Sequence, residues 1–392
     1  MTSLNLTTAL AAMMLFACLL PAAAAEVNLS KLAEADEFIN RAIDEKKIPG
    51  AVLLVGKGSA IVYEKAYGHR AVEPSQRPMT TDTIFDMASL SKPMACATSV
   101  LILIDRGKIA LDDPVAKYIP AFGNRGKEKI TVEMLLLHRG GLIPDNPMAD
   151  YVGTREEMIQ RINDLTPKWE PGTHFAYTDV GFIVLGELVQ AVDGRGLDQF
   201  AKEEIFQPLG MHETMFMPPD DLRDRIAPTE KRKKEDEQWI IGEVHDPRAF
   251  ALGGIAGHAG LFSTARDTAR WIQMLNNGGE LDGTRILSEA TVNKMLTMQT
   301  LPDGKGGRGL GVDMDSSYSS VRGARFERGK TFGHTGWTGT MFWSDPREGV
   351  YLVLLTNRVH PDGKGEVKEL RINVATVVAK VLLGPAASEA AQ

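Results

Sequence analysis

The sequence predicts an α/β (α+β) fold in which an antiparallel sheet, flanked by helices, is built from both ends of the chain. Runs rich in β-branched and aromatic residues occur before residue 70 and return after residue 305. Between them, apolar residues recur at the spacing of a helix face. We therefore expect one domain over 26–384, with a sheet region over about 26–80 and 305–384 and an inserted, mainly helical region over about 81–304.

The elements at the N-terminal end are a helix and a hairpin. Ser30 is a suitable N-cap for a helix over roughly 31–46, which Pro49 and Gly50 would end. The β-rich runs 51–55 and 61–67 are joined by the Gly-containing segment 56–59, and this arrangement predicts a hairpin.

The inserted region is predicted to be helical, and strands return after it. A long apolar run behind Ser89 predicts a helix that ends near 106–108. Further helices are predicted over 132–138, 155–165, 180–193, 197–206, 267–276 and 288–298. Strands are then predicted over 309–313, 330–335, 339–344 and 350–356, followed by an amphipathic helix over 367–383. The small, Ala-rich segment 385–392 is expected to be disordered.

Residues 1–25 have the pattern of a secretory signal peptide. An apolar run covers 10–20, and small residues at 22–25 precede Glu26. The run is short for a membrane span, so we expect no stable span and export to the periplasm or the medium, with cleavage after Ala25. Lipoprotein processing at Cys18 is the alternative, which the bulky Phe16 in the cleavage box disfavours.

Composition limits the partners and the redox chemistry. The chain has 392 residues, of which 43% are hydrophobic and 24% charged, as in ordinary globular proteins. Its net charge of −7 leaves no basic surplus for binding nucleic acid. Cys96 is the one cysteine beyond the predicted signal peptide, and its apolar surroundings predict a buried, unreactive thiol. The sequence leaves the oligomeric state open.

Segment 86–93 carries the clearest chemistry, because Ser89 and Lys92 have the spacing S-x-x-K. On a helix this spacing places both side chains on one face. A serine needs a neighbouring base to become a nucleophile, and burial among apolar residues favours loss of the lysine proton that would make Lys92 such a base. Taken alone, the pair is equally consistent with an N-cap serine beside a solvated lysine.

Two later segments extend this pattern in chain order. Residues 177–179 read Tyr-Thr-Asp, and residues 334–336 read His-Thr-Gly between two predicted strands. With S-x-x-K before them, these motifs resemble those of the serine β-lactamase and penicillin-binding protein superfamily, especially its class C β-lactamase-related group. That group also contains D-alanyl-D-alanine carboxypeptidases, esterases and D-amino-acid amidases. The resemblance runs from about residue 30 to 383 and includes segments 111–114, 135–142 and 257–262.

The resemblance implies a β-lactamase/DD-peptidase-like fold and acyl-enzyme chemistry that needs no cofactor. Ser89 would be the acylated nucleophile. Lys92 and Tyr177 would hold and move its proton. One of the two would be the general base, and the sequence does not decide which. His334 would complete the catalytic group from the strand of the third motif.

The resemblance also implies four substrate-binding positions. The backbone N–H groups of Ser89 and Trp337 would form the oxyanion hole. Gly336 would let the substrate backbone approach the strand. Asp179 of the second motif and Thr335 of the third motif would contact the substrate.

Two of these residues depart from the pattern of β-lactam-active relatives. Asp179 stands where those relatives usually have Asn, and an ionised carboxylate cannot donate to a substrate amide carbonyl, although it is able to pair with Lys92. His334 replaces a lysine, and a neutral imidazole attracts a carboxylate less than an ammonium does. We therefore expect short-chain activated esters to be hydrolysed about tenfold or more faster than a chromogenic cephalosporin.

No other chemistry is indicated as clearly. His245, Asp246 and His258 are the best candidate metal ligands, but no H-E-x-x-H or comparable cluster accompanies them, so we predict no metal. The sequence has no G-x-S-x-G elbow, no Walker A loop and no Rossmann glycine fingerprint.

The sequence therefore favours an exported serine hydrolase over a binding protein. Its substrate would be a small ester, a D-amino-acid amide or peptide of the peptidoglycan type, or a β-lactam. The alternative is a penicillin-binding or sensing domain that does not turn its ligand over. The joint presence of Ser89, Lys92 and Tyr177 favours the enzyme, but it does not identify the natural substrate or the rate of deacylation.

Overall fold

The computed structural model of the chain describes residues 28–233 and 238–384. The predicted signal peptide, its cleavage site after Ala25, the alternative at Cys18 and the predicted tail at 385–392 lie outside the described residues.

Strands occur at both ends of the described chain and, more sparsely, between them. In chain order they are β1 (Gly50–Lys57), β2 (Ala60–Ala71), β3 (Arg77–Pro78), β4 (Phe85–Asp86), β5 (Met215–Phe216), β6 (Leu261–Ser263), β7 (Glu280–Leu281), β8 (Thr284–Arg285), β9 (Gln299–Thr300), β10 (Gly307–Arg308), β11 (Asp313–Asp315), β12 (Phe332–Thr335), β13 (Met341–Asp345) and β14 (Val350–Thr356). The main antiparallel sheet has the spatial order β3-β2-β1-β14-β13-β12-β11-β10-β9.

The α-helices lie mostly between the two groups of strands. They are α1 (Ala33–Asp44), α2 (Thr98–Asp105), α3 (Val132–Leu136), α4 (Arg155–Asn163), α5 (Asp179–Asp193), α6 (Leu197–Ala201), α7 (Pro247–Ala251), α8 (Ala265–Asn276), α9 (Glu289–Met295) and α10 (Lys368–Leu383). Each helix predicted from the apolar pattern is present, although its ends differ by a few residues.

The sheet joins the two ends of the chain, as the sequence predicts. β1 pairs with its hairpin partner β2 on one side and with β14 on the other, and the second pairing runs from Ala51 opposite Thr356 to Lys57 opposite Val350. Because side chains alternate along a strand, each face of β1 is buried in a different core. Val52 and Leu54 pack towards the inserted helices, whereas Leu53 and Val55 pack towards α1 and α10.

One predicted strand is wrong, and the inserted region is less uniformly helical than expected. Residues 309–312 form a turn between β10 and β11, in which Gly309 N–H donates to Val312 O at 3.1 Å. Gly311 has φ of +80°, and a Cβ there would lie 2.5 Å from the Cβ of Ala97, so this position requires a glycine turn. The inserted region also holds a small sheet of the order β4-β6-β5, and its strand β4 directly precedes the segment that carries Ser89.

Among the described helical stretches, one is long and apolar enough to cross a membrane by composition. It is Ala88–Asp105, and 83% of it is buried inside the fold, as expected for a core helix. Cys96 lies within it, fully buried, and burial raises the pKa of its thiol, so this cysteine is an inert core residue, as predicted.

Candidate active site

The segment that carries Ser89 is an irregular start to the central helix. A 3₁₀ turn (Ala88–Leu90) is followed by a wider π-helical turn (Lys92–Ala97) before α2. Ala88 has φ of +47°, a left-handed conformation that costs energy for a residue with a Cβ. Asp86 stabilises it by accepting from Ala88 N–H at 2.8 Å through a side-chain oxygen.

The loop after β12 anchors this strained segment to the main sheet. The hydroxyl of Thr338 donates to Asp86 O at 2.8 Å, and the hydroxyl of Thr340 donates to Met87 O at 3.1 Å. These bonds join the first and third sequence motifs, so Ser89 is placed by the sheet as well as by its own helix.

Lys92 is a fully buried ammonium with three oxygen atoms close to its Nζ. Its Nζ lies 2.6 Å from Asp179 Oδ1, 3.2 Å from Ser89 Oγ and 3.2 Å from the carbonyl oxygen of His258. Burial by itself lowers the pKa of Lys92, but the charge of Asp179 and the nearby Tyr177 raise it above the ordinary lysine value. Burial therefore does not make Lys92 the neutral amine expected from the sequence. The pairing of Asp179 with Lys92, which the sequence left open, is present.

The reading of Ser89 as an N-cap beside a solvated lysine does not fit this geometry. Lys92 is 0% exposed. Within the described ranges, Ser89 Oγ has Lys92 as its hydrogen-bond partner and caps no backbone N–H.

Tyr177 is held beside this pair by a residue that the sequence analysis did not single out. Its ring packs on the imidazole of His138, with centroids 4.4 Å apart, and Nδ1 of that imidazole accepts from Thr178 N–H at 3.1 Å. Lys92 Nζ lies 4.9 Å from the centre of the Tyr177 ring, and the guanidinium carbon of Arg308 lies 5.8 Å from it. Tyr177 is therefore fixed in orientation between two positive charges.

His334 is buried and neutral. Its Nδ1 lies 2.9 Å from Thr335 O, and because a carbonyl only accepts, Nδ1 carries the proton and Nε2 keeps a lone pair. Nε2 has no hydrogen-bond partner among the described residues. Burial first, and then the charges of Arg308 and Lys92, lower the pKa of His334 well below its usual value.

This burial predicts a specific dependence of stability on pH. Unfolded His334 binds a proton below about pH 6.5, whereas folded His334 does not until a much lower pH. The free energy of unfolding therefore falls as the pH falls below about 6.5, with a contribution from His334 of up to about 1.4 kcal/mol per pH unit. Denaturant titrations between pH 5 and 7 should show a shallower fall in His334→Gln than in the wild type. Equal slopes would contradict a buried, neutral His334.

The remaining residues of the third motif form the turn next to Ser89. A Cβ on Gly336 would lie 2.1 Å from Thr340 Oγ1 and 2.7 Å from Met87 O, so the chain's own packing requires glycine here. The backbone N–H groups of Ser89 and Trp337 donate no hydrogen bond within residues 28–233 and 238–384. Two unpaired donors beside a serine hydroxyl are suited to bind an oxyanion.

Two cavities meet at Ser89. One, of about 340 Å³, is lined by Ser89, Tyr177, Arg308, Thr335 and other residues of the third motif. The other, of about 670 Å³, extends from Ser89 towards Asp179, His245 and His258. The exposed side chains of Tyr318 and Trp337 line both cavities, as Ser89 does.

The candidate metal ligands already have partners in the protein. Asp179, Asp246 and His258 place ligand atoms within 4.8 Å of one another. However, Lys92 pairs with Asp179, and Asp246 Oδ1 lies 3.0 Å from His258 Nε2 and accepts from two N–H groups of α7. His245 turns away to Glu230, at 2.8 Å. A metal ion at this cluster would have to displace the Lys92 ammonium from Asp179.

The comparisons with known proteins agree with this arrangement. The family model described as Beta-lactamase matches residues 35–376. The chain belongs to the beta-lactamase family. It is 32% identical over 365 residues to a protein of Escherichia coli (strain K12) named "Putative D-alanyl-D-alanine carboxypeptidase", a match that covers 85% of this chain and 83% of that protein.

Solved structures of beta-lactamase-like proteins share the fold. "EstCE1, a hydrolase with promiscuous acyltransferase activity" superposes with a TM-score of 0.74 at 23% identity, over 90% of this chain and all of that one. "A class C beta-lactamase" gives a TM-score of 0.74 at 20% identity, over 92% and 99% of the two chains. The predicted fold class and superfamily are confirmed, and this member of the beta-lactamase family is a serine hydrolase.

Proposed function

We propose that this serine hydrolase is exported and acts through an acyl-enzyme on Ser89. The contact between Ser89 Oγ and Lys92 Nζ, 3.2 Å apart where the two cavities meet, carries the proposal. A serine hydroxyl beside a buried ammonium and two unpaired N–H groups is arranged for attack on a carbonyl carbon.

In the proposed acylation step, Ser89 Oγ bonds to the carbonyl carbon and its proton passes to the phenolic oxygen of Tyr177, which acts as the general base. Lys92 does not take this proton, because an ammonium has no lone pair and its N–H groups face Asp179, Ser89 and a backbone carbonyl. Instead, its charge stabilises the oxygen of Ser89 as negative charge develops there.

The remaining steps use the same groups. The N–H groups of Ser89 and Trp337 bind the negative oxygen of the tetrahedral intermediate. Tyr177 gives its proton to the leaving group as the ester or amide bond breaks. Water then attacks the acyl carbon and gives a proton to Tyr177, and that proton returns to Ser89 when the ester bond to Ser89 breaks.

Tyr177→Phe tests this route for the proton. The ring of phenylalanine retains the packing on His138, so we expect a folded protein with a melting temperature close to that of the wild type. Loss of the phenolic oxygen should lower kcat for an activated ester by about 10²- to 10⁴-fold. Turnover close to the wild-type value in Tyr177→Phe would show that the general base is another group.

The substrate class is tested by a panel that includes short-chain p-nitrophenyl esters, a peptide ending in D-alanyl-D-alanine and a chromogenic cephalosporin. The name of the E. coli relative supports the peptide, and the charged Asp179 beside Lys92 supports the preference for esters over the cephalosporin. Turnover of any of these substrates with release of product supports the hydrolase. A stable adduct without turnover of any of them would favour the penicillin-binding or sensing alternative.

Export rests on the apolar run at 10–20 and the small residues at 22–25. N-terminal sequencing of the exported protein should begin at Glu26. A start at Met1 or at a lipidated Cys18 would contradict this part of the proposal.

A further inference from the structure

Arg371 is a buried arginine of α10 without a carboxylate partner. It is 9% exposed, and it lines the 340 Å³ cavity together with Ser89. Within residues 28–233 and 238–384 it forms no ion pair. Burial, and then the charge of Arg358, lower the pKa of Arg371 to about 9, so the guanidinium keeps its charge at neutral pH. Because a buried charge without a counterion is costly, the position of Arg371 indicates a function for this charge.

Backbone carbonyls of the turn 336–340, which follows β12, hold the guanidinium. Its Nη2 donates to Gly336 O at 2.8 Å and to Thr340 O at 2.9 Å. These carbonyls belong to the first and last residues of the turn, where Gly336 N–H donates to Thr340 O at 2.8 Å and Gly339 N–H donates to Gly336 O at 3.2 Å. Arg371 therefore binds both ends of the turn to α10.

One of these carbonyls belongs to the peptide unit that supplies a donor to the proposed oxyanion hole. Gly336 C=O and Trp337 N–H are the two ends of one trans amide, so they point in opposite directions. A charged donor on the oxygen fixes the plane of this amide. It also polarises the amide, and polarisation strengthens the N–H group as a donor. Arg371 is thus placed to act on Trp337 N–H without contact with the reacting atoms.

From this geometry we propose that Arg371 is a positioning residue of the oxyanion hole, which orients and polarises Trp337 N–H through the carbonyl of Gly336. Donors that are held in place before the reaction stabilise the transition state most effectively. The inference rests on the proposed function, because negative charge develops at this N–H group only when Ser89 attacks a carbonyl carbon.

Arg358 provides a comparison within the same turn. Its Nε donates to Trp337 O at 2.7 Å, and its guanidinium carbon lies 4.5 Å from the centre of the Trp337 ring. Arg358 also lines the cavity, but the amide that it holds carries the N–H group of Thr338. Loss of Arg358 therefore removes a positive charge and a contact to the turn, and leaves the Gly336–Trp337 amide bound to Arg371.

Two esters that differ in one atom test the role of Arg371. p-Nitrophenyl acetate has a carbonyl oxygen, and O-(p-nitrophenyl) thioacetate has the same leaving group with sulfur in place of that oxygen. Sulfur is the weaker hydrogen-bond acceptor. We define the oxygen preference as the ratio of kcat/KM for the first ester to kcat/KM for the second, divided by the same ratio for attack by hydroxide in water. This quantity does not change when part of the enzyme is unfolded.

The oxygen preference of the wild type should be about tenfold or more. Arg371→Met should lower this preference by about fivefold or more, and should lower kcat/KM for the oxygen ester by about 10- to 10²-fold, less than the loss of an entire oxyanion donor. Arg371→Lys should keep part of the preference, because it keeps a charged donor. Arg358→Met is the matched control and should keep the wild-type preference within about twofold. Arg371→Met should fold, because Gly336 O and Thr340 O each keep a hydrogen bond within the turn.

Three results would overturn the role of Arg371. They are a wild type without an oxygen preference, a preference that survives in Arg371→Met, and an equal fall in Arg358→Met, which would show a general effect of charge or of the turn. If Arg371→Met does not fold, Arg371→Gln is judged by the same criterion, because its amide has no charge. Failure of the proposed function gives a different result, because the wild type would then hydrolyse neither ester and acquire no adduct on Ser89.

Discussion

Ser89→Ala should reduce the hydrolysis of a short-chain p-nitrophenyl ester by about 10⁴-fold or more in kcat/KM. The variant lacks the oxygen that attacks the carbonyl carbon, and Ser89 is the serine whose hydroxyl accepts from Lys92 Nζ. Stability should change little, because Ser89 Oγ accepts one hydrogen bond and caps no helix. Steady-state kinetics and a thermal melt of the same preparation measure both effects.

Ser91→Ala is the matched control for Ser89→Ala. Ser91 is fully buried two residues along the same helix start, where its hydroxyl donates to Ala88 O at 2.7 Å and accepts from Leu261 N–H at 3.0 Å. Its loss should lower the free energy of unfolding by about 1–3 kcal/mol through the unpaired Leu261 N–H and leave the folded enzyme able to acylate. Esterase activity that survives in Ser89→Ala would show that Ser89 is not the nucleophile.

The second large effect is expected at Lys92. Lys92→Met should lower ester turnover by at least about 10²-fold, because Ser89 loses the charge beside its oxygen. It should also lower the free energy of unfolding by about 3–5 kcal/mol, because the Asp179 carboxylate loses its partner in a largely buried site. Denaturant unfolding and ester kinetics measure the two effects separately.

The double variant Lys92→Met/Asp179→Asn separates catalysis from stability. Removal of the unpaired carboxylate should restore most of the lost stability, whereas ester turnover should stay as low as in Lys92→Met. If the double variant regained turnover together with stability, Lys92 would have a structural role and no catalytic one.

The parts of the fold that the sequence predicted are those encoded by local patterns. β14 lies at 350–356, as predicted, because a continuous β-rich run between turn residues specifies a buried strand. The hairpin of β1 and β2 is confirmed for the same reason, although both strands extend beyond the predicted runs. The strand predicted over 309–313 is wrong because a distant residue, Ala97, packs against Gly311 and requires a turn there.

The candidate site also has features that local motifs predict and features that depend on contacts between distant residues. The motifs of Ser89, Tyr177 and His334 are readable from the chain, and the structure brings these residues to one cleft. The protonation state of Lys92 was not readable, because it depends on the approach of Asp179 from the start of α5. The place of Arg308 in the wall of this cleft was not predicted. Its Gly-rich segment resembles an exposed loop, whereas the structure buries the residue within β10.

A fluorophosphonate label followed by peptide mass spectrometry tests the central claim most directly. The reagent reacts with activated serine hydroxyls, so the wild type should gain one adduct, located on Ser89, and Ser89→Ala should gain none. An adduct on any other residue, or an active wild type that the reagent neither labels nor inhibits, would contradict an acyl-enzyme on Ser89.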